Sequence, residues 1–160
     1  MNLRIYSPWL IATACLLLTG CNYDVPLTPK PTHKIDPRLL GDWQIVDKES
    51  QKTEFLNVRL FDESTYVVVM DGDVYRAFHS DFAGTAFLSV QDLNADARKY
   101  VYFVWQLSPD NAQLTLTGVS NKVVPETAKD RAALQKLIKQ NLTNPALLVD
   151  PITLTRKKTR

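Results

Sequence analysis

Few residues of this chain are of a type that does chemistry, and their spacing restricts them further. There are two histidines, His33 and His79. His33 falls in a proline-rich stretch, so only His79 is expected to reach a folded site. It shares a strand phase with Tyr75 and Ala77, opposite Phe78 and Phe82, which suits a hydrogen-bonded wall residue better than a base or metal ligand. Asp71 and Asp73 bracket Gly72. A calcium loop would need a third oxygen ligand and a distant glutamate, and both are missing, so the triplet reads as a hairpin turn. Asp62-Glu63 reads as another turn. No nucleophile elbow, zinc-protease helix or phosphate loop occurs. The expectation is a protein without catalytic residues, metal or cofactor, and so not an enzyme.

The chemistry that does stand out is at Cys21. The chain opens "MNLRIYSPWLIATACLLLTGC". Arg4 precedes an apolar run, Trp9 to Leu18, that is far shorter than the ~20 residues of a spanning helix. A positive start, a short apolar centre and a small-residue end describe a secretory signal over residues 1–20. Leu18-Thr19-Gly20-Cys21 resembles a bacterial lipobox. The resemblance implies cleavage before Cys21, a diacylglycerol on its sulfur and an acyl group on its new amine, and hence a palmitate-type membrane anchor. Two or more buried chains, at ~0.8 kcal/mol per CH₂, hold a protein stably on a bilayer. Asn22 is not the aspartate that retains enteric lipoproteins in the inner membrane. The implied location is therefore the outer membrane, facing the periplasm.

The composition fits that reading. Cys15 leaves with the signal and Cys21 carries lipid, so no disulfide is available, and the fold must rest on its apolar core. The formal net charge of +2 leaves the mature part nearly neutral, which argues against nucleic acid as a partner. The exception is the end, with Arg156, Lys157, Lys158 and Arg160. Residues 157–160 read as a solvated basic tail.

Four prolines, Pro26, Pro29, Pro31 and Pro37, lie in residues 21–37. Proline prevents helix and favours extended chain. This stretch reads as a tether able to hold the domain on the order of 50 Å from the bilayer.

Residues 38–156 read as one mainly β domain. "TEFLNVRLF" alternates Leu56, Val58 and Leu60 against Glu54, Asn57 and Arg59. Asp71-Gly72 joins "TYVVVM" to "DVYRAFHSDF" in the strongest short hairpin signal. "GDWQIVD" comes first, and "TAFLSVQ", "KYVYFVWQL", "AQLTLTGV" and "PITLTRKK" complete the strands. A helix interrupts before the last one: Leu134, Leu137, Ile138 and Leu142 share a helical face, with Thr127 as the expected cap. The expected fold is a small antiparallel eight-stranded barrel with one helix before the last strand.

"KYVYFVWQL" is apolar on both sides. Tyr100, Tyr102 and Val104 face one way, and Val101, Phe103, Trp105 and Leu107 the other. A half-solvated strand alternates apolar with polar, so this one needs two covers. One is the barrel interior; the other is the helix or a partner. Tyr100, Tyr102, Phe103 and Trp105 are thus the candidate ligand or partner contacts.

Gly41-Asp42-Trp43 opens the first strand and is similar to the G-x-W signature of lipocalins. That resemblance implies a tryptophan closing one end of the barrel and an arginine of the last strand lying across it; Arg156 in "ITLTR" stands at the matching position. It also implies a binding module for a small apolar or amphipathic ligand. The alternative is a structural protein that docks onto another envelope protein through the aromatic strand face.

Overall fold

The structure is a computed structural model, and it describes residues 23–46, 53–128 and 130–157. Cys21, the segment before it, and Lys158 to Arg160 lie outside the described residues. Eight strands form a closed antiparallel barrel, each paired with its neighbour in sequence. They are β1 (Gly41–Val46), β2 (Thr53–Asp62), β3 (Thr65–Met70), β4 (Asp73–His79), β5 (Phe87–Asp92), β6 (Tyr100–Leu107), β7 (Gln113–Val119) and β8 (Leu148–Arg156). Among the described residues one α-helix, α1 (Arg131–Asn141), lies between β7 and β8. Among the described residues no helix is long and apolar enough to cross a membrane.

Local chemistry explains most of these elements. The β3–β4 turn is Asp71-Gly72, with φ of 50° and 95°, the positive pair that a type I′ hairpin requires. The β6–β7 turn is held by Ser108: its Oγ donates to Asp110 Oδ1 (2.6 Å), and its carbonyl accepts from Asn111 N (2.9 Å). The cap of α1 is Asp130, not Thr127. The Asp130 carboxylate accepts from Ala133 N at 2.8 Å, because the chain turns helical only after Asp130.

Two apolar clusters result. One fills the barrel and includes Trp43, Leu56, Val58, Tyr66, Ala77, Leu88, Leu114 and Leu154. The other lies outside the wall, where Leu134 and Ile138 of α1 meet Phe87, Tyr102, Tyr23 and Leu27. The two-sided strand β6 therefore has its second cover within the chain.

Half of that cover comes from the proline-rich segment, which is not a free tether. Tyr23 exchanges backbone hydrogen bonds with Tyr100 at 2.8 Å each way. Its ring is stacked on Tyr102 at 4.8 Å, and its hydroxyl donates to the Val124 carbonyl at 2.6 Å. Tyr102 Oη donates to the Val25 carbonyl. Farther along, Thr28 Oγ1 donates to Ser80 Oγ (3.0 Å), which is bonded to Ser89 Oγ at 2.7 Å. Thr32 N donates to the His79 carbonyl (2.9 Å) and Ile35 N to Glu63 O (3.0 Å). Prolines keep this chain extended, and an extended chain can run down a barrel wall as well as through solvent. Apolar side chains at Tyr23 and Leu27, both fully buried, decide for the wall.

β2 departs from simple alternation at both ends. Glu54 does not oppose Leu56 and Val58, contrary to the expectation from the sequence: it stands two residues before Leu56, shares their phase and is buried with them, whereas Leu60 is exposed. The pairing of β2 with β3 shifts between Leu60 and Asp62. Such a bulge bends the strand and carries its end away from the core.

Candidate functional site

The barrel interior holds an apolar cavity of about 100 Å³. Its wall comes from inward positions of every strand, including Ile45, Leu56, Val68, Met70, Ala77, Val90, Phe103, Leu116 and Ile152. Among the described residues that line it, only Tyr66 and Tyr75 have a side chain with a hydrogen-bonding group. Strand period 2 brings these residues together, since successive side chains face opposite sides of the sheet.

One end is plugged. Asp36 caps a 3-10 turn, Pro37–Leu39, by accepting from Arg38 N at 2.9 Å. The same Arg38 hydrogen-bonds the Asp36 carboxylate and holds it below the usual carboxylate range. The turn sends Leu39 into the barrel, and the Leu39 carbonyl accepts from Trp43 Nε1 at 3.0 Å. Trp43 is fully buried. Barrel closure occurs here, where Trp43 on β1 pairs with Arg156 on β8. The guanidinium carbon stands 4.1 Å from the indole centroid. Its nitrogens donate to main-chain oxygens of Asn111 (2.9 Å), Leu40 (2.8 Å) and Arg38. Gly41 is required at its position. Its φ is +133°, and a Cβ there would lie 2.7 Å from Arg156 Nη1. The three residues of the G-x-W-plus-arginine pattern thus form one unit: a glycine that admits the guanidinium, an indole beneath it, and an arginine tying three chain segments together. Lys157 belongs to the same end, with its ammonium 4.9 Å from the Phe55 centroid.

The other end is the mouth. Inward side chains beside Trp43, such as Tyr66, Leu114 and Leu154, are buried. Those toward the opposite rim, Ile45, Met70 and Val90, are partly exposed. That rim carries the β3–β4 turn and the β5–β6 loop.

A polar cluster borders the plug. His79 points inward near Trp105, their ring centroids 5.5 Å apart. The Tyr66 hydroxyl accepts from Asp36 N and lies 2.8 Å from His79 Nε2. His33 reaches this cluster, contrary to the sequence expectation that it lies in a tether. Its Nε2 is 3.0 Å from Asp81 Oδ2, and its ring centroid is 6.3 Å from that of His79. Burial pushes the His79 pKa down and raises that of Tyr66 to about 12. A phenol so raised is no nucleophile at neutral pH, and Ser80 Oγ is engaged by Thr28 and Ser89. Asp81 Oδ1 and Trp105 Nε1 are buried without a hydrogen-bond partner. Among the described residues no group of three or more histidine, cysteine, aspartate or glutamate side chains could hold a metal. This arrangement latches the N-terminal segment to the barrel.

The four candidate contacts on β6 are divided by the sheet. Phe103 lines the cavity and Trp105 packs on the inner core. Tyr102 is 1% exposed under Tyr23, and Tyr100 is half-buried beside it. The outer face of β6 is therefore not a free docking surface, because the chain's own segment occupies it. The sequence reading missed most of the cavity wall, which lies on the other seven strands and is marked only by their period-2 phase.

No family model, curated protein or solved structure matches this chain.

Proposed function

We propose that the chain is a lipid-anchored lipoprotein of the bacterial outer membrane, facing the periplasm, whose lipocalin-like barrel binds a small apolar or amphipathic ligand without transforming it. The observation that carries this reading is the apolar cavity. Eight-stranded barrels either fill their interior with side chains or hold one small ligand, and this interior keeps about 100 Å³ unfilled. An apolar cavity of ~150 Å³ stays dry and takes a benzene-sized guest. Drug-sized pockets run to ~300–1,000 Å³. The occupant therefore inserts one slim apolar part and leaves the rest at the mouth, which describes an amphipathic molecule. Membrane anchoring rests on the lipobox-like Leu18-Thr19-Gly20-Cys21.

Filling the cavity tests the reading. Ala77 lines it, and Ala77→Leu adds an apolar side chain into free space. A fluorescent medium-chain fatty acid should bind the wild type and lose about tenfold or more in affinity in the variant, a change of ~1.4 kcal/mol. Because the added atoms fill a cavity rather than a packed core, the melting temperature should hold or rise. Equal affinity in both proteins refutes cavity binding.

A further inference from the structure

The N-terminal segment sets where an anchor at Cys21 would hold the barrel. Tyr23 is bridged to Tyr100, the first residue of β6, on the mouth rim. Two backbone hydrogen bonds, the stack on Tyr102 and the hydroxyl bond to Val124 immobilise it. Asp24 pairs with Lys99 on the same rim. Cys21 is two residues before Tyr23, so their Cα atoms are separated by at most ~7–8 Å. The chain then runs down the wall, past Ser89 and His79, and enters the plug at Asp36. The eight residues of β6 span roughly 25 Å along the strand. The mouth rim is thus close to the anchor, and the plugged end is remote from it.

We propose that the barrel is held with its mouth against the bilayer that anchors it, so that the cavity takes an acyl chain directly from that bilayer. This rests on lipidation of Cys21 and on cavity binding as proposed above, and adds the orientation and the lipid class. The fit is chemical as well as geometric. The cavity is apolar and admits one slim group, which suits the end of an alkyl chain. A chain entering a mouth that faces the bilayer need not expose its length to water, where each CH₂ costs ~0.8 kcal/mol. Leu60 and Phe61, the latter 71% exposed, lie at the plugged end of β2. With the segment from Tyr23 to Asp36 docked on the wall, that end lies roughly a strand length from the anchor.

The test uses the full-length lipidated protein in phosphatidylethanolamine/phosphatidylglycerol vesicles. After signal cleavage and acylation of Cys21, a cysteine introduced at Asp71 (mouth rim) or at Ser64 (plugged rim) is the one free thiol for a fluorophore. Spin-labelled lipid headgroups should quench the Asp71→Cys label several-fold more strongly than the Ser64→Cys label. Ten Gly/Ser residues inserted between Asn22 and Tyr23 should remove that difference. The same insertion should slow acquisition of a fluorescent-acyl phospholipid from the vesicles, while leaving fatty-acid affinity in detergent-free solution unchanged for the soluble form without residues 1–21. Equal quenching at the two rims, or stronger quenching at Ser64, overturns the orientation while palmitate incorporation and fatty-acid binding leave the broader reading standing. Absence of palmitate at Cys21 overturns the anchor and with it the orientation. Fatty-acid binding without any phospholipid uptake overturns the lipid class alone.

Discussion

Removing Arg156 or Trp43 probes barrel closure at its seam. Trp43 is fully buried in the inner core, so Trp43→Ala should cost ~3–5 kcal/mol. Arg156 contributes through two kinds of contact. Its guanidinium over the indole, at 4.1 Å, is worth ~0.5–2 kcal/mol. Its bonds to Asn111 and Leu40 oxygens are part-buried, and about 1 kcal/mol each is reasonable after competition with water. Arg156→Ala should therefore cost about 2–4 kcal/mol, less than the tryptophan, and Arg156→Lys should recover only part because an ammonium lacks the planar fork. The double variant should fall short of the sum by about 0.5–2 kcal/mol, the shared cation–π contact. Urea unfolding followed by far-ultraviolet circular dichroism, on a soluble form without residues 1–21, reads all four corners. If Trp43→Ala does not fold, Trp43→Phe keeps a ring and completes the cycle. Costs that add to within ~0.3 kcal/mol would show that the two side chains are near one another without being coupled. Gly41→Ala gives an independent check. It should destabilise the wild type through both φ and the 2.7 Å approach to Arg156, and less in an Arg156→Ala background, where only the φ strain remains.

The remaining predictions concern the docked segment and its latch. Tyr23→Ala should cost about 3 kcal/mol, as for other large buried side chains, and deleting residues 23–28 should lower the melting temperature by well over 10 °C; a change of a degree or two would show that the segment contributes little to the wall. His79 is held below its ordinary pKa of 6.5, chiefly by burial and secondarily by His33, while Asp81 and Asp36 act in the opposite direction. The native state then binds fewer protons than the unfolded chain, so the contribution of His79 is full above pH ~6.5 and is lost as pH falls from there toward its lowered folded value. The gap in melting temperature between wild type and His79→Gln should narrow between pH 7.5 and 5. A gap that stays constant or widens on acidification would refute the assignment.

Much of the barrel was legible in the sequence because its determinants are local. Alternation in "LTLT" and "ITLTR", the Asp71-Gly72 turn and the helical face of Leu134 and Ile138 each need only a few neighbouring residues to act. The pairing of Trp43 with Arg156 was legible for another reason: a short pattern at the two ends of the domain has meaning once the strands close. What lay beyond the sequence was every choice among surfaces. Pro26, Pro29 and Pro31 dictate an extended chain, yet its resting place depends on Tyr102, Phe87 and Ser89, some sixty or more positions away. That one choice places His33 against Asp81, covers the outer face of β6 and leaves Tyr23 at the mouth rim. The cavity is of the same kind. Strand phase says which residues face inward, but how much room they leave depends on closure by eight strands and on how far Leu39 enters as the plug. Phase and turn chemistry are properties of the backbone nearby; burial and empty volume are properties of all the chain at once.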